Sequence, residues 1–213
     1  MRVALISDLH GNDLALEAVL ADVRRRGVEQ IACLGDTATL GPHPREVLAR
    51  LRDLSCPCIV GNHDAFLHDP DLVRSYNEAP VITEAVLWCR DRLTAEELDF
   101  VGTFVATWEL PLDGAGRLVL CHGTPRSHME DLLSTTPPEA VDAMLAGCEA
   151  TVIAAGHTHI QMLRQHRGIL LVNPGSVGMP FEEYVFGKVP KLLPYAEWAC
   201  VEAERGRVSV SLH

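Results

Sequence analysis

Apolar positions along this chain follow two rhythms. Short runs rich in branched side chains recur at 3–7 (VALIS), 30–34 (QIACL), 56–60 (CPCIV), 117–121 (RLVLC), 151–155 (TVIAA) and 169–173 (ILLVN). Their length and composition are those of buried strands. Between the first two runs, Leu16, Val19, Leu20 and Val23 share one helical face, Asn12 stands where a cap belongs and Gly27 where a helix stops. This predicts a β–α–β opening. Helices are also expected over 80–92, from Thr94, whose TAEE reads as a capping box with Glu97, and over about 138–146. The tail from Trp198 reads as two strands joined near Gly206. The pattern is α/β throughout, without repeats, linkers or low-complexity stretches, and its 213 residues suit one domain, 1–213.

The polar residues change the picture most where they follow the strand-like runs: Asp8 and His10, Asp36, Asn62 and His63, His122, then His157 and His159. Side chains at strand carboxyl ends converge on one rim. One such residue is ordinarily a cap or a turn former; five sites in succession are not. Carboxylate, imidazole and amide oxygen donors suit ions of intermediate hardness better than a thiolate-rich zinc site does. Seven candidate ligands are too many for one tetrahedral ion and suit two divalent ions sharing a bridging carboxylate, with positions open for water and substrate. Manganese or iron is the first expectation, with zinc, nickel and magnesium as alternatives.

In their order and local sequence, DLH (8–10), GD (35–36), GNHD (61–64), CHG (121–123), GHTH (156–159) and NPGSVG (173–178) resemble the calcineurin-like metallophosphoesterase superfamily, especially its short bacterial phosphodiesterases. The resemblance implies an α/β fold built as a two-sheet β-sandwich flanked by helices. It implies Asp8, His10 and His159 on a first metal, Asp36 bridging to a second, and Asn62, His122 and His157 completing the second. His63, beside Asn62 on the substrate side, matches the family histidine that contacts the substrate phosphate and can protonate the leaving oxygen as general acid. Some relatives pair that histidine with an Asp three residues after the bridging one; here position 39 is Thr, and Asp64 is adjacent in sequence but need not point the same way.

Two divalent ions lower the pKa of a shared water to roughly 7, so hydroxide becomes available for in-line attack on phosphorus while the metals offset developing charge. The expected substrate is a small phosphate ester or nucleotide, with a diesterase preferred over a monoesterase. A non-catalytic interaction module on the same fold is the alternative, disfavoured by the complete ligand set. With 29 acidic against 18 basic residues and a net charge of −11, long nucleic acid is not an expected partner. The opening MRVALIS leads directly into SDLHGN without the core of a signal peptide, and no apolar run reaches membrane-spanning length, so a cytoplasmic protein that does not engage membranes is expected.

Weaker signals leave alternatives open. The seven cysteines form no CxxC pair and read as buried free thiols, the CPC at 56–58 included. Arg24, Arg25 and Arg26 complement a helix dipole better than they make a phosphate patch. His43 reads as a solvated loop residue that lies close enough to touch substrate. Arg126 and His128 follow His122, where the guanidinium would bind a distal substrate phosphate or form a surface salt bridge. Asn173 shapes a turn behind the site. The aromatic, proline-punctuated segment 181–198 suits a lid, an oligomer contact of a homodimer, or an irregular connection on the domain edge.

Overall fold

The computed structural model describes residues 1–76, 79–185 and 187–213; Phe186, inside the aromatic segment, lies outside them. The first half runs β1 (Arg2–Ile6), α1 (Asp13–Arg25), β2 (Gln30–Cys33), α2 (Pro44–Leu54), α3 (Asn62–His68), α4 (Asp71–Tyr76), α5 (Pro80–Arg90) and α6 (Ala95–Val101). The second runs β3 (Trp108–Leu112), β4 (Gly116–Leu120), α7 (Pro138–Met144), β5 (Val152–Ala154), β6 (Met162–His166), β7 (Ile169–Asn173), β8 (Ala199–Glu204) and β9 (Arg207–Leu212).

Local chemistry explains the helix boundaries. The Asn12 side chain accepts the Ala15 N–H at 3.1 Å, Leu16, Val19, Leu20 and Val23 are buried, and Gly27 leaves the helix with φ +65°. Arg25 and Arg26 of the last turn both bond Asp22. Thr94 and Glu97 cap α6 reciprocally, the Glu97 N–H donating to Thr94 Oγ1 at 3.2 Å and the Thr94 N–H to Glu97 Oε2 at 2.8 Å.

Nine strands among the described residues form two sheets, ordered β2-β1-β8-β9 and β3-β4-β5-β7-β6. Strand alternation divides the core. Val3 and Leu5 face inward between the sheets with Leu118, Leu120, Val152 and Ala154, whereas Ala4 and Ile6 pack outward against α1 and α2. Val119, Cys121 and Ile153 face outward to α7 on the other side. Each fully enclosed leucine of the inner layer contributes about 1.5–3 kcal/mol through burial. The result is a helix–sheet–sheet–helix stack.

The expected strand at 56–60 is a correction. Only isolated bridges form there, Cys33 with Cys58 and Ile59 with Val105. The chain switches neighbours within two residues, the Ile59 N–H donating to Cys33 O and the Val60 N–H to Val105 O, and Pro57 has no N–H to continue a ladder. All seven cysteines are free thiols. Among the described residues no helix is long and apolar enough to cross a membrane.

The parallel pairs matter most for function. β1 runs parallel to β2, and β4, β5 and β7 run parallel to one another. The loops leaving β1, β2, β4 and β5 therefore emerge at one end of the sandwich, carrying Asp8 and His10, Asp36, His122, and His157 and His159 respectively.

Candidate metal centre

Five of these residues leave their strands in the left-handed backbone region: Asp8 (φ 54°), His10 (43°), Asp36 (55°), His157 (70°) and His159 (58°). Asp and His tolerate that region better than most residues, yet each such turn costs on the order of 1–3 kcal/mol. Backbone hydrogen bonds between the loops hold them there. The Asp8 N–H donates to Gly35 O at 2.9 Å, the His10 N–H to Asp36 O at 3.0 Å and the Gly156 N–H to His122 O at 2.7 Å.

Two buried groups result. Donor atoms of Asp8, His10 and His159 lie within 4.8 Å of one another, as do those of Asp36, His122 and His157. Asp36 faces both, with Oδ2 3.4 Å from His122 Nε2 and 3.9 Å from His10 Nε2. Asn62, at the start of α3, places Oδ1 3.1 Å from His122 Nε2.

The hydrogen bonds of two rings decide whether cations fit. His122 Nδ1 lies 2.6 Å from Leu34 O, and His159 Nδ1 lies 2.7 Å from Met179 O. A carbonyl only accepts, so both Nδ1 atoms carry the proton, and in the neutral ring Nε2 is a lone pair. That lone pair in His122 points at Asp36 Oδ2, and in His159 it points at Asp8 Oδ1, 3.2 Å away. A cation, either a proton or a metal ion, must stand between each nitrogen and its carboxylate, and this donor set fits a divalent ion in each group.

Titration reports the same field. Burial alone would lower the His122 pKa, but the Asp36 and Asp8 carboxylates and the bond to Leu34 drive it up to about 10. His159 is likewise raised against its burial, by Asp8. Burial opposes ionisation of Asp8, yet His159 and His122 bring it down to about 2, and Asp36 is held well below the usual range. Burial takes His10 to about 3 and His63 to about 4, so both are neutral near pH 7.

Asp64 has a role that the sequence reading did not assign. Its carboxylate accepts the backbone N–H of Asp36 (2.8 Å), Thr37 (2.9 Å) and Gly61 (2.9 Å) and the Thr37 hydroxyl (2.7 Å). It thus pins the loop carrying Asp36 to the start of α3. Burial and the neighbouring Asp36 charge push its pKa up to about 6 against those donors. The spacing Gly61 to Asp64 at a helix start was the available signal. At Gly61 a Cβ would run into the Asp36 carboxylate and backbone, so glycine permits the close approach.

His63 is anchored through its backbone, whose N–H donates to Asp36 Oδ1 at 2.9 Å, and its ring packs edge-on against His10 and Phe66. Asp64 turns to the loop instead, and neither His63 Nδ1 nor the Thr39 hydroxyl has a hydrogen-bond partner among the described residues.

Arg126 is placed differently from a phosphate ligand. Its guanidinium bonds the Glu130 carboxylate and donates to Ala143 O at 2.8 Å, a surface ion pair with every nitrogen engaged. His128, half-buried, is the residue of that loop within the field of His122, Asp36 and His157. His43 caps α2 without a side-chain cap bond and is half-buried rather than solvated. Asn173 lies behind the site and donates to Gly156 O and Thr158 Oγ1, bracing the turn that carries His157 and His159.

Comparison with known proteins agrees with this architecture. The model of the calcineurin-like phosphoesterase superfamily domain matches residues 1–189. An uncharacterised protein of Methanocaldococcus jannaschii is 33% identical over 193 residues, 84% of this chain and 76% of its own length. The phosphodiesterase YfcE of Escherichia coli is 27% identical over 188 residues, 84% of this chain and 81% of its own. The crystal structure of a metallophosphoesterase from Sphaerobacter thermophilus superposes with a TM-score of 0.75 at 27% identity, over 100% of this chain and 88% of that one.

Proposed function

This chain belongs to the calcineurin-like phosphoesterase superfamily, a metal-dependent family, and on that premise we propose that it is a dinuclear metal-dependent phosphodiesterase acting on a small phosphate ester or nucleotide. The observation that carries the reading is the convergence of two buried donor groups in which histidine Nε2 atoms face carboxylates. The likeness to a phosphodiesterase at 27% identity favours diesters over monoesters.

Asp8, His10 and His159 would hold the first ion, Asn62, His122 and His157 the second, with Asp36 facing both. When bound, two divalent ions supply an acidified water as nucleophile and offset charge on the phosphoryl oxygens; manganese or iron suits this donor set. Asp8 and Asp36 neutralise about half of the roughly four positive charges such a pair brings. The rim therefore attracts anions although the chain carries −11 overall. His63 shares Asp36 Oδ1 through its backbone N–H, so the residue that meets the phosphate and the carboxylate between the ions are set as one unit. With a pKa of about 4, His63 is neutral in the free site, so as general acid it must first take up the proton that it gives to the departing oxygen.

The test is hydrolysis of bis-p-nitrophenyl phosphate beside p-nitrophenyl phosphate by metal-stripped protein reloaded separately with Mn, Fe, Ni, Zn and Mg. Metal-dependent turnover, faster on the diester, is expected. Absence of turnover on these esters and on a nucleotide panel, in protein shown to bind two ions, would overturn the enzymatic reading.

A further inference from the structure

The segment after Gly178 folds back on itself while touching His159 of the first donor group and Asp131, which neighbours His157 of the second. Met179 O accepts from His159 Nδ1, and the Phe181 N–H donates to His159 O at 3.2 Å. The Phe181 ring lies over the His159 ring with centroids 4.2 Å apart and planes tilted by 30°. The returning limb is closed by the Glu182 N–H to Lys191 O (2.9 Å), the Leu193 N–H to Pro180 O (2.8 Å) and the Lys191–Glu182 ion pair at 2.8 Å. Farther along, the Tyr184 hydroxyl donates to Asp131 Oδ2 at 2.6 Å. The other oxygen of that carboxylate lies 3.3 Å from His157 Nε2.

We propose that Asp131 is a positioning residue for His157 and that Tyr184 fixes Asp131, so that residues 179–185 and 187–193 act as a strap seating one histidine of each metal group. This rests on the dinuclear reading of the site. A ligating histidine performs best when its second ring nitrogen donates to a carboxylate, which sets the tautomer, fixes the ring plane and raises ligand basicity; losing such a partner typically weakens metal binding 10–100-fold. Asp131 is placed for that task, its Oδ1 in ion-pair contact with His157 Nε2 at 3.3 Å. Its carboxylate is only 38% exposed, and its two oxygens serve two different donors, so the Tyr184 bond immobilises the oxygen facing His157. Phe181 acts in parallel on His159, whose own tautomer is set by the Met179 carbonyl of the same segment. The strap thereby couples to both ions without contributing a ligand to either.

The experiment titrates metal-free wild type, Asp131→Ala, Asp131→Asn and Tyr184→Phe with Mn2+ alone, reading stoichiometry and stepwise affinity by calorimetry and the two-ion coupling by electron paramagnetic resonance. Hydrogen exchange of peptides spanning 179–185 is followed with and without Mn2+. The expected result is a 10–100-fold weaker second ion in Asp131→Ala with the first ion unchanged, a smaller loss in Asp131→Asn, and a several-fold loss in Tyr184→Phe. Wild type is expected to gain protection over 179–185 on binding Mn2+ and Tyr184→Phe to lack that gain, while the retained aromatic ring guards against a variant that merely fails to fold. Two ions bound at wild-type affinity by Asp131→Ala and Tyr184→Phe would overturn the inference while leaving the dinuclear reading intact. A wild type that binds fewer than two ions would instead overturn the dinuclear reading, and the inference with it.

Discussion

Metal loading should expel protons in a number that the structure sets. The perturbation is a fall in pH from 8 to 6 while Mn2+ is titrated into metal-free protein. His122 holds its proton up to about pH 10 because the Asp36 and Asp8 carboxylates outweigh the penalty of burial. An ion needs the bare Nε2, so at pH 7 it must displace that proton across about three pKa units, a handicap of about 4 kcal/mol, or a thousandfold in affinity. The sign follows from the raised pKa: the proton is lost only as pH rises toward about 10, so affinity climbs tenfold per pH unit for each proton displaced. His159 in the other group is shifted in the same direction, by Asp8. Asp8, at about 2, and Asp36, held well below the usual carboxylate range, are already ionised, and His10, at about 3, is already bare. Filling both groups near neutrality should therefore release at least one proton, that of His122. Calorimetric titrations in buffers of different ionisation enthalpy count them directly, and the pH dependence of affinity checks the slope. Binding that is independent of pH between 6 and 8, with no proton released, would refute the tautomer and charge assignments together.

Three further outcomes are expected. Asp36→Asn removes the carboxylate facing both groups, so occupancy of both ions and turnover should collapse; two tightly bound ions with full activity, measured by metal analysis and assay, would contradict its position. His63→Ala should slow alkyl phosphodiesters by about 10²–10⁴-fold, the usual worth of a general acid, and aryl esters far less because their leaving groups need little protonation; equal losses would leave His63 a phosphate contact only. Glu197 is 7% exposed and burial raises its pKa to about 7, so its charging opposes folding: metal-free stability should fall by about 1–3 kcal/mol as pH rises from roughly 4.5 through 7. Glu197→Gln should flatten that slope in chemical denaturation at pH 5 and 8, and an unchanged slope would remove Glu197 as its cause.

Elements whose signals are local were legible before the fold was known. α1 and α6 begin and end where Asn12, Gly27, Thr94 and Glu97 place them, because capping needs only residues within one turn. α2 carries equivalent signals, Pro44 at its first turn and a buried face of Val47, Leu48 and Leu51, but it follows the glycine- and proline-marked loop 41–43 so directly that the local pattern reads as loop. β3 and β6 were passed over for a different reason. WELPL and MLRQH lack a continuous apolar run; each is a strand at one edge of its sheet, with a hairpin partner in β4 or β7. The run at 56–60 failed in the opposite sense, apolar enough for a strand but with a different neighbour on each side.

The sequence by itself determined the chemistry on offer: which donors exist, their order after successive apolar runs, and hence that carboxylate, amide and imidazole would meet at one rim. Tertiary structure alone decided how they meet. It aligned the parallel strands of two sheets so that Asp8 met His159 and Asp36 met His122, residues far apart along the chain. It chose the proton-bearing nitrogen of His122 and His159 through carbonyls on other segments. It turned Asp64 toward the Asp36 loop, engaged Arg126 with Glu130, and set Asp131 between Tyr184 and His157. The physical reason is the range of the forces: periodicity and capping act within a few residues, whereas tautomer, ion pairing and ligand orientation depend on what packing brings within about 3 Å.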